Sequence, residues 1–358
     1  MNIPFVPAAA MLLSLCPAAT FVYVGNADSN DIHVMSLNHT TGELSLVEKV
    51  EIPGIVKAGG STPLAISPDK RLLFAATRGE PQAVSTYAID PKTGRLKYLG
   101  RGPLVDSMPY ISTDRTGRFL FAASYPGHKI TVSAIGADGV IAAPHQVLEG
   151  HTNAHSIMAD PKNHFVVAAT LGNDLINVFR FNAKTGRIEP NTPPSLLVKE
   201  KSGPRHFVFD PSGKRVYLLG ELDANIHLLD YDADKGTFKL KQSVKALPAG
   251  VEGRIGAADI HISPNGKFVY ATERTSNTLT GFNVNPVDGK LTLIETITVE
   301  TMPRSFAIDS SSRYLYVVGM RSNHMSSYRI DAETGKLTKL KEYEMGKIPN
   351  WVEIVDLP

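Results

Sequence analysis

A turn that contains glycine recurs seven times along this chain at a nearly constant spacing. Examples are "DPKTGRLKY", "NAKTGRIEP" and "DAETGKLTK", and the spacing from one turn glycine to the next is 45 to 53 residues. Each turn lies between two runs in which apolar and polar residues alternate, a pattern typical of a β-hairpin because the turn needs a residue that tolerates positive φ. The seven glycines are Gly42, Gly94, Gly139, Gly186, Gly236, Gly289 and Gly335. This period predicts a fold that repeats one antiparallel unit.

A second polar turn recurs in step with the first. It begins at Ser67, Asp114, Asp160, Asp210, Ser263 and Asp309, as in "DRTGRFLFAA" and "DPSGKRVYLL". Each of these turns joins two short apolar runs, so one repeat contains two hairpins and therefore four strands in roughly 48 residues. Four antiparallel strands at this period are typical of a β-propeller blade.

The two ends of the chain complete each other's missing strands. The last apolar run, "WVEIVD", is an innermost-type strand with no partner behind it, and Asp356 occupies its turn position. The run that begins at Thr20 supplies three strands and lacks an innermost one. Pairing of the termini closes a ring. The sequence therefore predicts an all-β fold, a seven-bladed β-propeller of four-stranded antiparallel blades, as one domain over residues 20–358.

Residues 1–19 lie outside this repeat. The run "AAAMLLSLCPAA" (residues 8–19) is apolar, too short to span a bilayer, and of a length that suits the apolar part of a secretory signal, although no Lys or Arg precedes Lys49. We therefore expect residues 1–19 to be an export signal and the protein to be periplasmic. An ordered N-terminal arm or a misplaced start codon would instead leave a cytoplasmic protein.

Composition excludes several classes of function. The 37 basic and 35 acidic residues give a net charge of +2 with no basic run of five, so we expect no nucleic-acid or membrane-surface partner. Cys16 is the only cysteine, which excludes disulfides, thiolate metal sites and a cysteine nucleophile. We expect no cofactor, no metal and no membrane span. A metal ion held by Glu221 and Asp259 stays an open alternative, and the sequence leaves monomer and dimer open.

The repeat places polar residues at one mouth of the central channel. Neighbouring strands of a blade are antiparallel, so the start of the innermost strand and the end of the next strand lie on the same face of the ring. Counted from the second turn, seven of these positions hold large polar residues: His155, Arg205, Arg304, Arg78, Tyr125, Glu221 and Arg274. The equivalent positions in the other strands hold Thr62, Pro109, Ala258, Trp351, Leu171, Met320 and Ala27. This convergence predicts a polar site. It also explains why Arg205 and His206 precede the buried strand of "GPRHFVFDP".

These residue types suit the hydrolysis of an ester-like carbonyl. A histidine such as His155 is well matched to general-base work near neutral pH, and two arginines beside it can hold an anionic substrate and stabilise an oxyanion. Glu221 can pair with an arginine or move a proton. The sequence contains neither "G-x-S-x-G" nor "H-E-x-x-H". His206 and His324 are further candidates for substrate contact, whereas His261 is expected to form structural hydrogen bonds.

Five segments resemble the bacterial propeller-type 6-phosphogluconolactonases: "AHSI" (154–157), "GPRHFVFDP" (203–211), "YLLGELDANI" (217–226), "RIGAADIHISP" (254–264) and "ATERTSN" (271–277). The resemblance runs from Thr20 to Asp356. It implies a metal-independent seven-bladed propeller that hydrolyses a small-molecule substrate, a sugar δ-lactone. The catalytic residues that it implies are His155, Arg205, Glu221 and Arg274, with Arg254 a further candidate for the anionic end of the substrate.

The expected substrate depends on the compartment. An exported enzyme would meet glucono-1,5-lactone, whereas a cytoplasmic one would meet its 6-phosphate. The family also resembles fungal enzymes that form or open muconolactones, so a lactonising cyclase acting on a dicarboxylate is an alternative. A propeller that binds a protein partner without catalysis is another, because one propeller fold supports many functions.

Overall fold

The computed structural model describes residues 19–248, 250–251 and 253–358, which form seven four-stranded antiparallel sheets. The first sheet contains β1 (Ala19–Asn26), β2 (Asp31–Leu37) and β3 (Leu44–Glu51). The second contains β4 (Leu64–Ile66), β5 (Leu72–Thr77), β6 (Ala83–Ile89) and β7 (Leu96–Pro103). The third contains β8 (Tyr110–Thr113), β9 (Phe119–Ser124), β10 (Lys129–Ala134) and β11 (Gln146–Glu149).

The remaining four sheets follow the same order along the chain. The fourth contains β12 (Ala154–Ala159), β13 (Phe165–Thr170), β14 (Leu175–Asn182) and β15 (Arg187–Leu197). The fifth contains β16 (Pro204–Phe209), β17 (Arg215–Gly220), β18 (Asn225–Asp232) and β19 (Thr237–Lys245). The sixth contains β20 (Ala257–Ile262), β21 (Phe268–Glu273), β22 (Thr278–Val284) and β23 (Leu291–Thr298). The seventh contains β24 (Pro303–Ile308), β25 (Tyr314–Gly319), β26 (His324–Ile330) and β27 (Leu337–Glu344), and the last strand, β28 (Pro349–Leu357), joins the first sheet.

The termini close the ring as predicted. β28 pairs with β1 in an antiparallel register that places Thr20 opposite Asp356, and the Thr20 hydroxyl donates a hydrogen bond to the Asp356 carboxylate. The seven-bladed all-β prediction is therefore confirmed. β1 begins at Ala19, one residue before the predicted boundary. The rest of the predicted export segment, residues 1–18, lies outside the described residues.

The innermost strands surround a central channel. These strands are β28, β4, β8, β12, β16, β20 and β24, and each contacts the innermost strands of both neighbouring blades. Apolar side chains from adjacent blades form the core, as where Phe21 and Tyr23 of the first blade pack with Leu73 and Tyr87 of the second. The only helical segment in the described residues is a short turn of 3₁₀-helix, Leu171–Asn173. No helix among them is long and apolar enough to cross a membrane.

Each of the seven turn glycines packs against a neighbouring blade and also lies in the turn that joins two strands of its own blade. All seven have positive φ, as predicted, with values from 64° to 83°. A Cβ atom on Gly186 would lie 2.3 Å from the ring of Phe119 in the preceding blade. Tyr23 donates a hydrogen bond of 2.9 Å to the carbonyl oxygen of Gly94 across a similar contact. The turns therefore need glycine both for their backbone conformation and for the packing of one blade on the next.

We expect Gly186→Ala to destabilise the fold more than Gly150→Ala. Both glycines have positive φ (75° and 82°), so alanine carries a similar backbone penalty at each, but a Cβ at Gly150 meets no atom within 4 Å. Displacing the Phe119 ring should cost Gly186→Ala an additional ~1–3 kcal/mol in the free energy of unfolding. Urea titration of the two variants measures the difference, and equal losses would show that the blade contact contributes nothing.

Candidate active site

A β-bulge recurs at the start of the innermost strands, and in β12, β16 and β24 the bulged position holds a histidine or an arginine. The pairing register shifts between Ala154 and Ser156, between Pro204 and His206, and between Pro303 and Ser305. A bulge leaves one residue outside the ladder and changes the direction of its side chain. The bulged residues are His155, Arg205 and Arg304, whose exposed fractions are only 4%, 0% and 7%. Repetition of one backbone feature thus directs three buried polar side chains towards the same channel mouth.

Glu221 connects arginines from two blades. Its Oε2 atom lies 2.8 Å from Nε of Arg205, and its Oε1 atom lies 3.0 Å from Nη2 of Arg274. Burial alone would raise the pKa of Glu221, but the two guanidinium groups outweigh it and lower the pKa below its usual value. The carboxylate is therefore ionised at neutral pH and fixes the orientation of both arginines.

Arg304 is buried and only partly compensated by Glu221. Its Nε and Nη2 atoms have no hydrogen-bond partner in the described part of the chain. Burial, followed by repulsion from Arg205, Arg274 and Arg78, lowers the pKa of Arg304 well below its usual value. Arg78 itself donates hydrogen bonds to the hydroxyl groups of two serines at the mouth, the nearer at 2.8 Å. We call the six residues gathered here the mouth cluster: His155, Arg205, Glu221, Arg274, Arg304 and Arg78. Four cations and one carboxylate give this cluster a strong attraction for an anion.

His155 is held in its neutral form. Burial, followed by the charges of Arg205 and then of other cationic groups around the ring, lowers the pKa of His155 well below its usual value. Its Nδ1 atom is buried and has no hydrogen-bond partner, and the ring of Tyr125 approaches its edge with centroids 6.0 Å apart. A neutral imidazole beside guanidinium groups can accept a proton while the guanidinium groups bind developing negative charge.

A second layer of polar side chains lies beneath the mouth cluster. Nδ1 of His206 is 2.8 Å from Oδ1 of Asp259, whose Oδ2 is 3.3 Å from Nε2 of His261. Burial, with a further contribution from Arg205, lowers the pKa of His206 to about 4. A cavity of about 240 Å³ extends along the channel from this layer to Glu353. The structure therefore places His206 at the floor of the site rather than among the mouth residues.

The described residues bring no set of three or more His, Cys, Asp or Glu side chains together in a geometry that could hold a metal ion. Glu221 pairs with two arginines, whereas Asp259 pairs with two histidines and accepts a hydrogen bond of 3.2 Å from the backbone N–H of Phe306. The two carboxylates that the sequence left open as metal ligands therefore serve different partners.

Comparison with known proteins places the chain in a family. The sequence model of the family described as "Lactonase, 7-bladed beta-propeller" matches residues 21–354. The chain belongs to this family. It is 38% identical over 336 residues to a 6-phosphogluconolactonase of Pectobacterium carotovorum, covering 94% of this chain and 98% of that protein. It is 39% identical to a 6-phosphogluconolactonase of Serratia proteamaculans over 334 residues, 93% of this chain and 98% of the relative.

Solved structures show the same architecture as this lactonase-family propeller. The periplasmic gluconolactonase of Pseudomonas aeruginosa superposes with a TM-score of 0.87 at 26% identity, covering 95% of this chain and all of the other. A putative 6-phosphogluconolactonase of Bacteroides fragilis superposes with a TM-score of 0.86 at 27% identity, covering 96% and 99% of the two chains.

Besides Tyr125 and His206, which pack against His155, two predicted contact residues of this lactonase-family propeller, Arg254 and His324, lie outside the mouth cluster. Arg254 is exposed and lines, with Arg274 and Arg321, a neighbouring pocket of about 350 Å³. His324 begins the third strand of its blade, where Nδ1 lies 2.6 Å from the carbonyl oxygen of Ser322 and Nε2 lies 3.8 Å from Glu342 on the outermost strand. The structure therefore brings Arg254 beside the cluster and does not bring His324 to it.

The register predicted for the closing strand is off by one residue. Counting from Asp356 places Trp351 at the mouth, but β28 bulges at Asn350, and Trp351 lies in the second layer with its ring 5.9 Å from that of His206. No turn connects β28 to β1. In the other blades the turn begins opposite the residue equivalent to Phe21, and in β28 that position is occupied by Val355. Asp356 is consequently not the equivalent of the other turn residues.

Sequence reasoning missed the link between His206 and Asp259, although a signal was present. Each lies four residues before the second turn of its own repeat, so the two residues occupy equivalent positions in neighbouring blades. It also missed Glu353, whose pKa burial raises to about 7 and which accepts a hydrogen bond of 2.8 Å from the indole of Trp351. Arg321 was missed because it lies one residue beyond Met320, the last repeat position assigned to the mouth.

Proposed function

We propose that this protein hydrolyses a sugar δ-lactone and that the mouth cluster is its active site. The observation that carries the proposal is a buried neutral histidine, His155, beside Arg205, Arg274 and Arg304, with Glu221 bridging Arg205 and Arg274. A lactone carbonyl gains negative charge when water adds to it, and this site offers a base together with preorganised cations. Membership of the lactonase family and the names of the curated relatives support the same reaction.

The chain's own residues suffice for each proton and charge in this reaction. His155 takes a proton from water, and the resulting hydroxide adds to the carbonyl carbon. The free N–H groups of Arg205 and Arg304 donate hydrogen bonds to the oxyanion, while Glu221 keeps Arg205 and Arg274 in place. The bond from this carbon to the ring oxygen then breaks, and the ring oxygen takes the proton back from His155. The product is an open-chain hydroxy acid, which ionises.

We propose the 6-phosphorylated lactone as the preferred substrate. Arg254 and Arg321 line the pocket beside the mouth cluster together with Arg274, and guanidinium groups suit phosphate recognition. The curated relatives are 6-phosphogluconolactonases. Glucono-1,5-lactone is the second candidate, favoured by the apolar run at residues 8–19 if that segment directs export to the periplasm. The two candidates share the reaction and differ in the group that the arginine pocket holds.

Acid release at constant pH tests both the reaction and the substrate. We expect kcat/KM for the 6-phosphate to exceed that for glucono-1,5-lactone, after correction for spontaneous opening. Arg321→Gln should lower kcat/KM for the phosphate about 10-fold and leave the value for the plain lactone unchanged. A preference for the plain lactone in the wild type would make the protein a gluconolactonase. Activity on neither would reject hydrolysis, and muconate should then be assayed for cyclisation.

A further inference from the structure

Two buried nitrogen atoms in neighbouring histidines have no hydrogen-bond partner among the residues that the structure describes. They are Nδ1 of His155 and Nε2 of His206. The two rings meet edge to face, with centroids 5.1 Å apart and an interplanar angle of 64°. Buried polar atoms in proteins are nearly always hydrogen-bonded, so two unpaired atoms on adjacent rings require an explanation. The mechanism proposed above does not specify which nitrogen of His155 takes the proton, and it does not involve His206.

Asp259 determines which nitrogen of His206 carries the proton. Burial alone would raise the pKa of Asp259, but the contacts with His261 and His206 outweigh it and hold the pKa well below its usual range. An ionised carboxylate only accepts hydrogen bonds, so the His206 atom 2.8 Å from it, Nδ1, must be the donor. In a neutral imidazole the other nitrogen is then an acceptor. Nε2 of His206 therefore carries a lone pair and lies next to His155.

We propose that Asp259 and His206 are positioning residues that set the tautomer of His155. The proton of His155 then lies on Nδ1 and faces the lone pair of His206, which leaves the Nε2 lone pair of His155 free at the mouth to take a proton from water. The proposal rests on the hydrolase function proposed above. The two nitrogens are not hydrogen-bonded to each other in this structure, so the proposal requires a rotation of the His155 ring, or one bridging water, to connect them.

The surrounding charges favour this neutral arrangement. Arg205, Arg304 and Arg274 face His155 and oppose its protonation, and Arg205 and Arg304 also oppose protonation of His206. On the other side of Asp259 lie His261, Glu353 and the aromatic groups of Tyr110 and Trp351. When His155 accepts a proton in the reaction, its Nδ1–H becomes a stronger donor to His206, His206 keeps its own Nδ1–H on Asp259, and the ionised carboxylate stabilises the new positive charge without taking a proton. The chain therefore gives the base both its orientation and a counter-charge.

Nitrogen-15 NMR of the ring-labelled protein without substrate tests the proposal directly. We expect both His155 and His206 to show the Nδ1–H tautomer, with the signals assigned from the variants that lack each histidine. The Nε2–H tautomer predominates in free neutral histidine, so two Nδ1–H rings would be a distinctive result. An Nε2–H proton on either ring of the wild-type protein overturns the proposal, whatever the substrate is.

A matched pair of variants tests the consequence for catalysis. His206→Phe keeps a ring against Tyr110 and Trp351 but removes the acceptor, so His155 should change to the Nε2–H tautomer and kcat should fall about 100-fold with little change in KM. His164→Phe makes the same substitution at an exposed turn outside the site and should leave kcat and both tautomers unchanged. Equal kcat values for the two variants would overturn the proposal.

Asp259→Asn tests whether Asp259 sets the tautomer of His206. In this variant His206 should lose its pure Nδ1–H tautomer. Retention of that tautomer would show that Asp259 does not set it. An inactive wild type with two Nδ1–H rings would reject the hydrolase function and leave the tautomer assignment standing.

Discussion

Arg304→Met is expected to make the fold more stable and the site less active. Arg304 is 7% exposed, two of its N–H-bearing atoms have no partner among the described residues, and repulsion from Arg205, Arg274 and Arg78 outweighs the attraction of Glu221. Methionine has a similar length, fills irregular apolar space and carries no charge. Replacing an incompletely compensated buried charge by an apolar side chain should raise the free energy of unfolding by about 1–3 kcal/mol. Loss of an oxyanion donor should lower kcat/KM for the lactone about 10²-fold to 10³-fold.

Arg205→Met is the matched control, because Arg205 is bulged at the same repeat position and is equally buried. Arg205 is paired, however, with Glu221 at 2.8 Å, and it donates a hydrogen bond to the carbonyl oxygen of Ala258. Its removal leaves a largely buried carboxylate with one arginine, so this variant should lose stability. Chemical denaturation compares the two variants. If Arg304→Met is destabilised as much as Arg205→Met, the charge of Arg304 is compensated in the folded protein.

A stabilising effect of Arg304→Met would show that the wild-type mouth cluster lowers the free energy of unfolding and is kept for its function. Functional sites commonly carry unfavourable charge arrangements that become favourable only when ligand is bound. An anion bound between Arg205 and Arg304 would supply the missing partner for both guanidinium groups. Addition of phosphate or product should accordingly stabilise the wild type more than Arg304→Met.

The blade architecture followed from the sequence because hairpin chemistry is local. A glycine such as Gly94 is needed where φ is positive, and its spacing to the next turn counts the strands directly. The same count located His155, Arg205 and Arg304, since each stands a constant five residues before a turn of constant length. Position within the repeat was thus enough to identify the members of the mouth, although it said nothing about their contacts.

The remaining features depend on distances between blades, which no local pattern encodes. The bridge from Glu221 to Arg274 joins two sheets, and the link from His206 to Asp259 does the same. Counting failed where the repeat was interrupted: the closing strand lacks a turn, so Trp351 was placed one residue off. His324 is near a loop on the correct face of the ring, but the third strand of a blade lies away from the axis.

His155→Asn is expected to lower kcat about 10³-fold and to change how both activity and stability depend on pH. Burial and the neighbouring cations hold the pKa of His155 well below 6.5, so its ring is already neutral at pH 6.5. The activity of the wild type should therefore remain constant from pH 8 to below pH 6.5 and fall only at more acidic pH. An ordinary histidine base would lose half of its activity near pH 6.5.

The stability of the wild type should decrease in the same acidic range. His155 and His206 have folded-state pKa values below those of the unfolded chain, for His206 about 4. As the pH falls below about 6.5, the unfolded chain binds protons that the folded protein does not, so their contribution to stability is complete above that pH and is lost below it. Each group changes the slope of unfolding free energy against pH by up to about 1.4 kcal/mol per pH unit. His155→Asn should remove one such contribution, whereas His164→Asn, at an exposed turn, should leave activity unchanged. A slope that is identical in His155→Asn and the wild type would mean that His155 titrates normally in the folded protein and would remove the reason for assigning it as the neutral base.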